Sequence, residues 1–256
     1  MKPFDISSAV EVQPAITFNQ IRERFNFKRI AIGRWVTQAE QERAASAFDK
    51  SLSDLMTALQ CPESVISLRG NLSFQYGIGG RPGVAAHYDP SQCCFSLAKN
   101  AGPGSIAHEW FHALDHYLGN KVFSDISEVT ATSLFASNAW LQDATPIPHS
   151  LNDKLYHCFK VIMLSDDAKQ PSDLFKASAK MDRSLKSNYY AKPEEMCARA
   201  FEAFIEDSIP NNPHLVNNTR HSEEAKYGLY PNGQQRQLIN LAFNDYFSLL
   251  GMALAK

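Results

Sequence analysis

Apolar positions change their spacing along the chain, and each change marks a change of element. Residues 16–60 read as helical. After Trp35-Val36-Thr37, the residues Ala45, Phe48, Leu52, Leu55, Met56 and Leu59 fall on one helical face. From Ser64 the apolar residues come instead in short runs, Val65-Ile66-Ser67-Leu68 and Leu72-Ser73-Phe74-Gln75-Tyr76, which predict strands. Residues 77–83, with Gly79-Gly80 and Pro82, read as a turn. Residues 84–88 and 93–98 flank Asp89-Pro90-Ser91 as the arms of a hairpin. Gly102-Pro103-Gly104-Ser105 then stops the sheet pattern, and Ser105 is placed to cap a helix over 105–119. Beyond Gly119 the pattern is mainly helical. A short sheet followed by helices predicts an α+β fold. With no repeat or linker, one domain is expected over 1–256: helices and sheet over 16–100, the helix 105–119, and a helical part over 120–256.

Within the helix predicted at 105–119 lies His108-Glu109-Trp110-Phe111-His112, an HExxH sequence. Residues four apart on a helix stand one turn above each other, so the two imidazoles can converge on a single ion. Glu109 sits at the edge of that face, where it can serve as a base toward metal-activated water without becoming a ligand. An amphipathic helix with two incidental histidines is the plain alternative. His116 continues the series, but three ligands over His108 to His116 would span about 12 Å of helix, too far for one ion. Nor does His116 supply a third histidine six residues after the second, a position held by Leu118. Asp115 projects from nearly the same face as both histidines and is a candidate to orient an imidazole N–H; a structural salt bridge fits it equally.

A catalytic zinc takes three protein ligands and keeps one position open. The other histidines, His87, His149, His157, His214 and His221, form no partner motif. The leading third ligand is acidic and lies in Pro193-Glu194-Glu195-Met196-Cys197-Ala198-Arg199-Ala200-Phe201-Glu202. Pro193 suits a first helical turn. Glu195, Ala198, Arg199, Glu202 and Glu206 then share one stripe, with Met196, Ala200, Ala203 and Phe204 on the apolar side. Ala198 permits close helix approach, so Glu195 leads, ahead of Glu194 and Glu202, and Arg199 is a candidate supporting residue. A solvated charged face is the competing interpretation of the same stripe. Tyr189, Tyr190, His221 and Tyr227 are candidate stabilisers of a developing oxyanion.

Composition narrows the alternatives. At 44% hydrophobic and 20% charged the chain is an ordinary globular protein, and a net charge of −2 offers no field for nucleic acid. No run reaches the ~20 apolar residues of a membrane span. The first residues, Met1-Lys2-Pro3-Phe4-Asp5, carry no leader pattern. Five scattered cysteines without a CxxC pair suggest reduced thiols and a cytoplasmic setting.

Four stretches carry a resemblance: Phe27-Lys28-Arg29 with Ile32-Gly33-Arg34-Trp35-Val36; Ala86-His87-Tyr88-Asp89-Pro90; Gly104-Ser105-Ile106-Ala107-His108-Glu109-Trp110-Phe111-His112-Ala113-Leu114-Asp115; and Tyr190-Ala191-Lys192-Pro193-Glu194-Glu195-Met196-Cys197-Ala198-Arg199-Ala200-Phe201-Glu202. With a weaker fifth from Tyr230-Pro231-Asn232-Gly233 to Phe247, they span residues 27–247. The chain resembles the first of the large polyvalent protein-associated domains and the related stand-alone bacterial CLCA-X proteins, zincin-like metallopeptidase domains of bacteria and their phages or mobile elements. The resemblance implies a zincin-like fold centred on the HExxH helix and a Glu ligand from the later helix. It also implies that the run 93–98 is the edge strand bordering a peptide cleft. The expected function is that of a metallopeptidase holding one zinc and acting on a protein or peptide substrate, with no nucleic acid or membrane partner. A catalytically silent protein-binding module and a non-peptidase zinc hydrolase are the competing expectations.

Overall fold

The computed structural model of the chain describes residues 16–78, 86–99, 104–124 and 134–255. The first helix, α1 (Phe18–Phe25), opens with a reciprocal capping box between Thr17 and Gln20 and closes at Asn26 in the left-handed conformation. The next helix, α2 (Gln38–Leu59), repeats the device with Thr37 and Glu40. Its predicted face is the buried one: Ala45, Phe48, Leu52, Leu55 and Leu59 are in the core and Met56 packs at its margin.

Two sequence-based expectations fail here. Residues 16–60 are not helical throughout, because β1 (Arg29–Ile32) separates α1 from α2. Four residues are too few to interrupt a periodicity count, and their strand state comes from pairing with a distant segment. The run Val65-Ile66-Ser67-Leu68 is not a strand. It holds the end of a helical turn, α3 (Glu63–Ile66), and then a tight reversal with Leu68, Arg69 and Gly70 at positive φ. A short apolar run shows that it is buried without showing its conformation.

The remaining strands are β2 (Ser73–Tyr76), β3 (Ala86–Asp89) and β4 (Cys94–Leu97). Sheet order is β1-β2-β4-β3, with β1, β2 and β4 parallel and β3 antiparallel to β4. The predicted hairpin is thus present as β3 and β4, although its first residues, 84 and 85, and most of the predicted turn lie outside the described residues. β4 is not the expected edge strand: it is paired on both sides, and the edge belongs to β3. One cross-strand row, Ile30, Phe74, Phe95 and Tyr88, faces the helices. In it, Phe74 stacks on Phe48 of α2 at 4.1 Å and Tyr88 reaches the helix that follows the sheet.

That helix, α4 (Ser105–Val122), is capped by Gly104 at φ 103°, so Ser105 is its first residue and not its cap. A side chain at Gly104 would crowd Asn217 at 3.0–3.1 Å as well as strain the backbone. The orphan N–H of Ala107 finds the Leu215 carbonyl at 3.1 Å. The rest is helical as expected: α5 (Ala136–Leu141), α6 (Ser150–Met163), α7 (Asp173–Leu185), α8 (Pro193–Ser208), α9 (Glu223–Lys226) and α10 (Gly233–Leu254). Buried apolar residues from Phe18 to Phe247 form one continuous cluster, and none of the described helices is long and apolar enough to cross a membrane.

A forked ion pair ties α8 to α10. Nε and Nη2 of buried Arg236 each lie 2.8 Å from an oxygen of Asp207, where Asn240 and Arg220 also donate. Burial alone would raise the Asp207 pKa, but the hydrogen bonds from Arg236, Asn240 and Arg220 outweigh it and hold it at about 2. A depressed carboxylate stabilises the fold above its unfolded value near 3.9 and loses that contribution as pH falls toward its folded value. We therefore expect urea melts between pH 5 and 2 to lose less in Asp207→Asn than in the wild-type protein, by on the order of 1 kcal/mol at this solvent-screened carboxylate. Parallel acid limbs would contradict this.

Candidate metal centre

The helix α4 is buried almost around its whole circumference, with Trp110 and Phe111 in the core. The Trp110 indole N–H donates to the Ile66 carbonyl at 2.9 Å, which fixes the roll of the helix. That roll points His108 and His112 together. Their Nε2 atoms are 3.0 Å apart. From α8, Glu195 approaches the same point: Oε2 is 3.3 Å from His108 Nε2, and Oε1 is 3.5 Å from His112 Nε2. Among the described residues, His108, His112 and Glu195 are a set whose ligand atoms all lie within 4.8 Å of one another.

The start of α8 follows from the sequence: Pro193 occupies the first turn after Lys192, and Glu194 and Glu195 stand where the helix dipole favours acids. The charged stripe is not a solvated face. Glu195 is 9% exposed, Arg199 4% and Glu202 5%. Of the three acidic candidates Glu195 is the one that joins the histidines. Glu202 instead orients a histidine. Its Oε1 is 2.6 Å from His108 Nδ1, and its Oε2 accepts the Tyr230 hydroxyl at 3.0 Å. When Nδ1–H is given to Glu202, a ring that loses its other proton to a metal ion keeps its Nε2 lone pair on the side of His112 and Glu195. Glu194 lines the cleft and keeps one buried oxygen without a hydrogen bond.

Charges in this cluster depend on one another. Burial would lower the His108 pKa, but Glu202 and Glu195 beside it raise it to about 10. Burial would likewise raise that of Glu195, and the two imidazoles hold it well below the carboxylate range instead. Such a donor set has a deficit of positive charge that a divalent cation would fill. One orphan agrees with that, Glu195 Oε2, which is buried with no hydrogen bond, and beside it the two Nε2 atoms meet at 3.0 Å. The residues therefore fit a metal ion. Glu109, 7% exposed, borders the same cleft of about 770 Å³; burial raises its pKa against the pull of His108 and His112.

Other sequence candidates separate. Asp115 does not hold an imidazole: its carboxylate accepts from Ser137 N at 2.8 Å and from Ser137 Oγ, which caps α5. His112 Nδ1 is left buried without a hydrogen bond. The capped turn carries Phe135, whose ring lies 6.0 Å from His112 and 5.7 Å from His116. Burial pushes the Asp115 pKa up to about 6 despite those Ser137 bonds. His116 stands outside the ligand set, with Nδ1 2.9 Å from Tyr88 Oη. Arg199 touches no ligand. It binds the carbonyls of Leu229 and Tyr190 and so braces the two turns that carry Tyr230 and Tyr189 into the cleft. Tyr190 and Tyr227 line a different cavity, and His221 is exposed away from the cleft. Sequence reasoning misses Tyr230 as a cleft residue; its only signal is its place before the Asn232-Gly233 start of α10.

Removing a ligand and removing its support should differ in degree. Isothermal titration with a divalent metal ion is expected to show binding lost in His108→Ala, His112→Ala and Glu195→Ala. Glu202→Ala should weaken it roughly 10–100-fold, as loss of an orienting carboxylate does. Binding abolished by Glu202→Ala and kept by Glu195→Ala would exchange the two roles.

Residues 181–254 match the family model described as large polyvalent protein-associated domain 1. No curated protein and no solved structure matches the chain. The matched segment contains Glu195, Arg199, Glu202 and Tyr230 but not the helix with His108 and His112, so in its later helices the chain is similar to that domain.

Proposed function

We propose that the chain is a zinc-dependent peptidase of the Glu-zincin type, with His108, His112 and Glu195 as metal ligands and Glu109 as general base. The observation that carries this reading is the position of Glu109. It is a buried carboxylate with a raised pKa, on the wall of the cleft that the three ligand atoms face. A purely structural site has no use for such a group and is normally closed by a fourth protein ligand. Two imidazoles and one carboxylate suit zinc, and a bound ion supplies a Lewis acid that polarises a carbonyl and acidifies water. Glu109 then accepts the proton of the attacking water, and its raised proton affinity suits it to that role and to returning the proton to a leaving amine.

The preference for a polypeptide substrate is supported by β3. Among the described strands it pairs only with β4, and Ala86 and His87 line the cleft. An extended chain finds unpaired backbone groups at such an edge, which align it with little demand on side-chain identity. The α+β arrangement, with a sheet preceding the HExxH helix, agrees with a zincin-like fold.

Glu109→Gln keeps the shape of the side chain but cannot take a proton. It is expected to retain zinc at the wild-type ratio and to lose cleavage by about 10²–10⁴-fold. The measurement is a comparison of new protein N-termini after a proteome is incubated with each form. Equal sets of cleavages from both would remove Glu109 as the base.

A further inference from the structure

The turn between α7 and α8, residues 186–192, is held more firmly than its burial explains. Asp182, in the last turn of α7, spends its carboxylate entirely on it. Oδ1 accepts from Tyr189 N at 3.0 Å, Tyr190 N at 3.1 Å and Ser187 Oγ at 2.6 Å, and Oδ2 accepts from Ala191 N at 2.8 Å. From the other side buried Arg199 binds the Tyr190 carbonyl and the Ser178 hydroxyl. Yet Tyr189, at the centre of this network, is 45% exposed, and its ring meets that of Tyr190 edge-on at 5.2 Å. The network fixes a backbone whose aromatic side chain it does not bury. That is the pattern of a presented group.

Tyr189 is presented to the cleft that Glu109 and Glu195 also line. Its phenol lies against the third ligand, with a hydrogen bond to the Glu195 carboxylate. Two other tyrosines line the cleft: Tyr230, whose hydroxyl hydrogen is already given to Glu202, and Tyr88, whose hydroxyl is 2.9 Å from His116 Nδ1. A phenol is protonated at neutral pH and is a good donor to an oxygen that gains negative charge. Once the Glu195 oxygens serve a metal, the hydrogen of the neighbouring phenol is left for whatever oxygen lies in the open part of the cleft.

We propose that Tyr189 is a catalytic residue that donates a hydrogen bond to the substrate carbonyl oxygen as it becomes an oxyanion, and that Asp182 positions it by fixing the turn 186–192. This rests on the hydrolytic reading of the site and assigns the residue that stabilises charge where Glu109 only moves a proton.

The test uses the cobalt-loaded full chain and acetohydroxamic acid, whose oxygens stand in for the attacking water and the carbonyl oxygen. Visible absorption of the cobalt reports both metal loading and hydroxamate binding. Tyr189→Phe is expected to bind cobalt like the wild type and to bind acetohydroxamate about tenfold more weakly, the usual loss for one hydrogen bond to a charged oxygen. Asp182→Asn, with Tyr189 intact, should lose several-fold in hydroxamate affinity at unchanged cobalt affinity, which a general loss of fold would not produce. Tyr190→Phe, outside the cleft, should match the wild type in both. Equal acetohydroxamate affinity in Tyr189→Phe and wild type overturns the proposal. If the wild type takes up no cobalt, both the metal reading and this inference fall. If Tyr189→Phe weakens hydroxamate while the wild-type protein generates no new N-termini in a proteome, the contact stands and the peptidase reading fails.

Discussion

Phe201 of α8 packs against both Trp110 and Phe111 of α4, at 5.5 and 5.0 Å between ring centroids. This contact sets how close the two helices lie and how each is rolled about its axis, and the site is built on that separation. Buried Ala198, on the stripe of Glu195 and Glu202, lets the helices approach. Phe243 and Phe247 of α10 close the cluster from behind, each packed on Phe201. On α4 the histidines flank this pair, His108 just before Trp110 and His112 directly after Phe111, and roughly two turns along α8 from Phe201 is Glu195. An apolar contact of ordinary strength therefore aims three polar side chains at one point, so a volume change at Phe201 would misplace ligands it never touches.

The same packing buries charge, and the cluster tolerates this only because its members compensate one another. Glu195 lies against both imidazoles, Glu202 against one of them and against Tyr230. A lone buried carboxylate would take up a proton. Here Glu195 stays well below the carboxylate range, while burial raises Glu109 against the pull of the same imidazoles. Two carboxylates on one cleft with opposite shifts divide the labour: one is suited to hold a cation, the other to hold a proton.

Local chemistry was legible in the sequence, and tertiary partnership was not. The spacing of His108 and His112 needs only a helix, and the Pro193 start of α8 is likewise a local event; both are present as expected. Ranking Glu195 above Glu194 and Glu202 relied on a neighbouring alanine, and it named the residue that joins the histidines. The role of Glu202 depends on which ring nitrogen it meets, and no property of its own helix encodes that. Asp115 shares a face with both histidines, yet Ser137, brought in by another helix, claims it. Strand identity failed for the same reason. β1 and β2 pair in parallel across intervening helices, and β4 became central because β2 and β3 both reach it, a choice made by partners far along the chain.

The stripe on α8 shows what such partnership can make of a regular pattern. Glu195 and Glu202 are seven residues apart, about 10.5 Å along the axis, which is more than the width of an imidazole ring. A helix crossing beside His108 can therefore meet the ring from both sides, with Glu195 toward Nε2 and Glu202 at Nδ1. Arg199 lies between them in sequence, and on the same stripe its long side chain turns away to the carbonyls of Tyr190 and Leu229. The three residues thus share a face but not a target: one faces the ligand atoms, one orients a ligand, and one fixes the turns that bring tyrosines to the cleft. Replacing Arg199 by Lys would keep the charge but lose the planar fork that spans two carbonyls. The structure depends on that geometry more than on the sign of the charge, because the partners of the fork, two backbone carbonyls and the Ser178 hydroxyl, are all neutral.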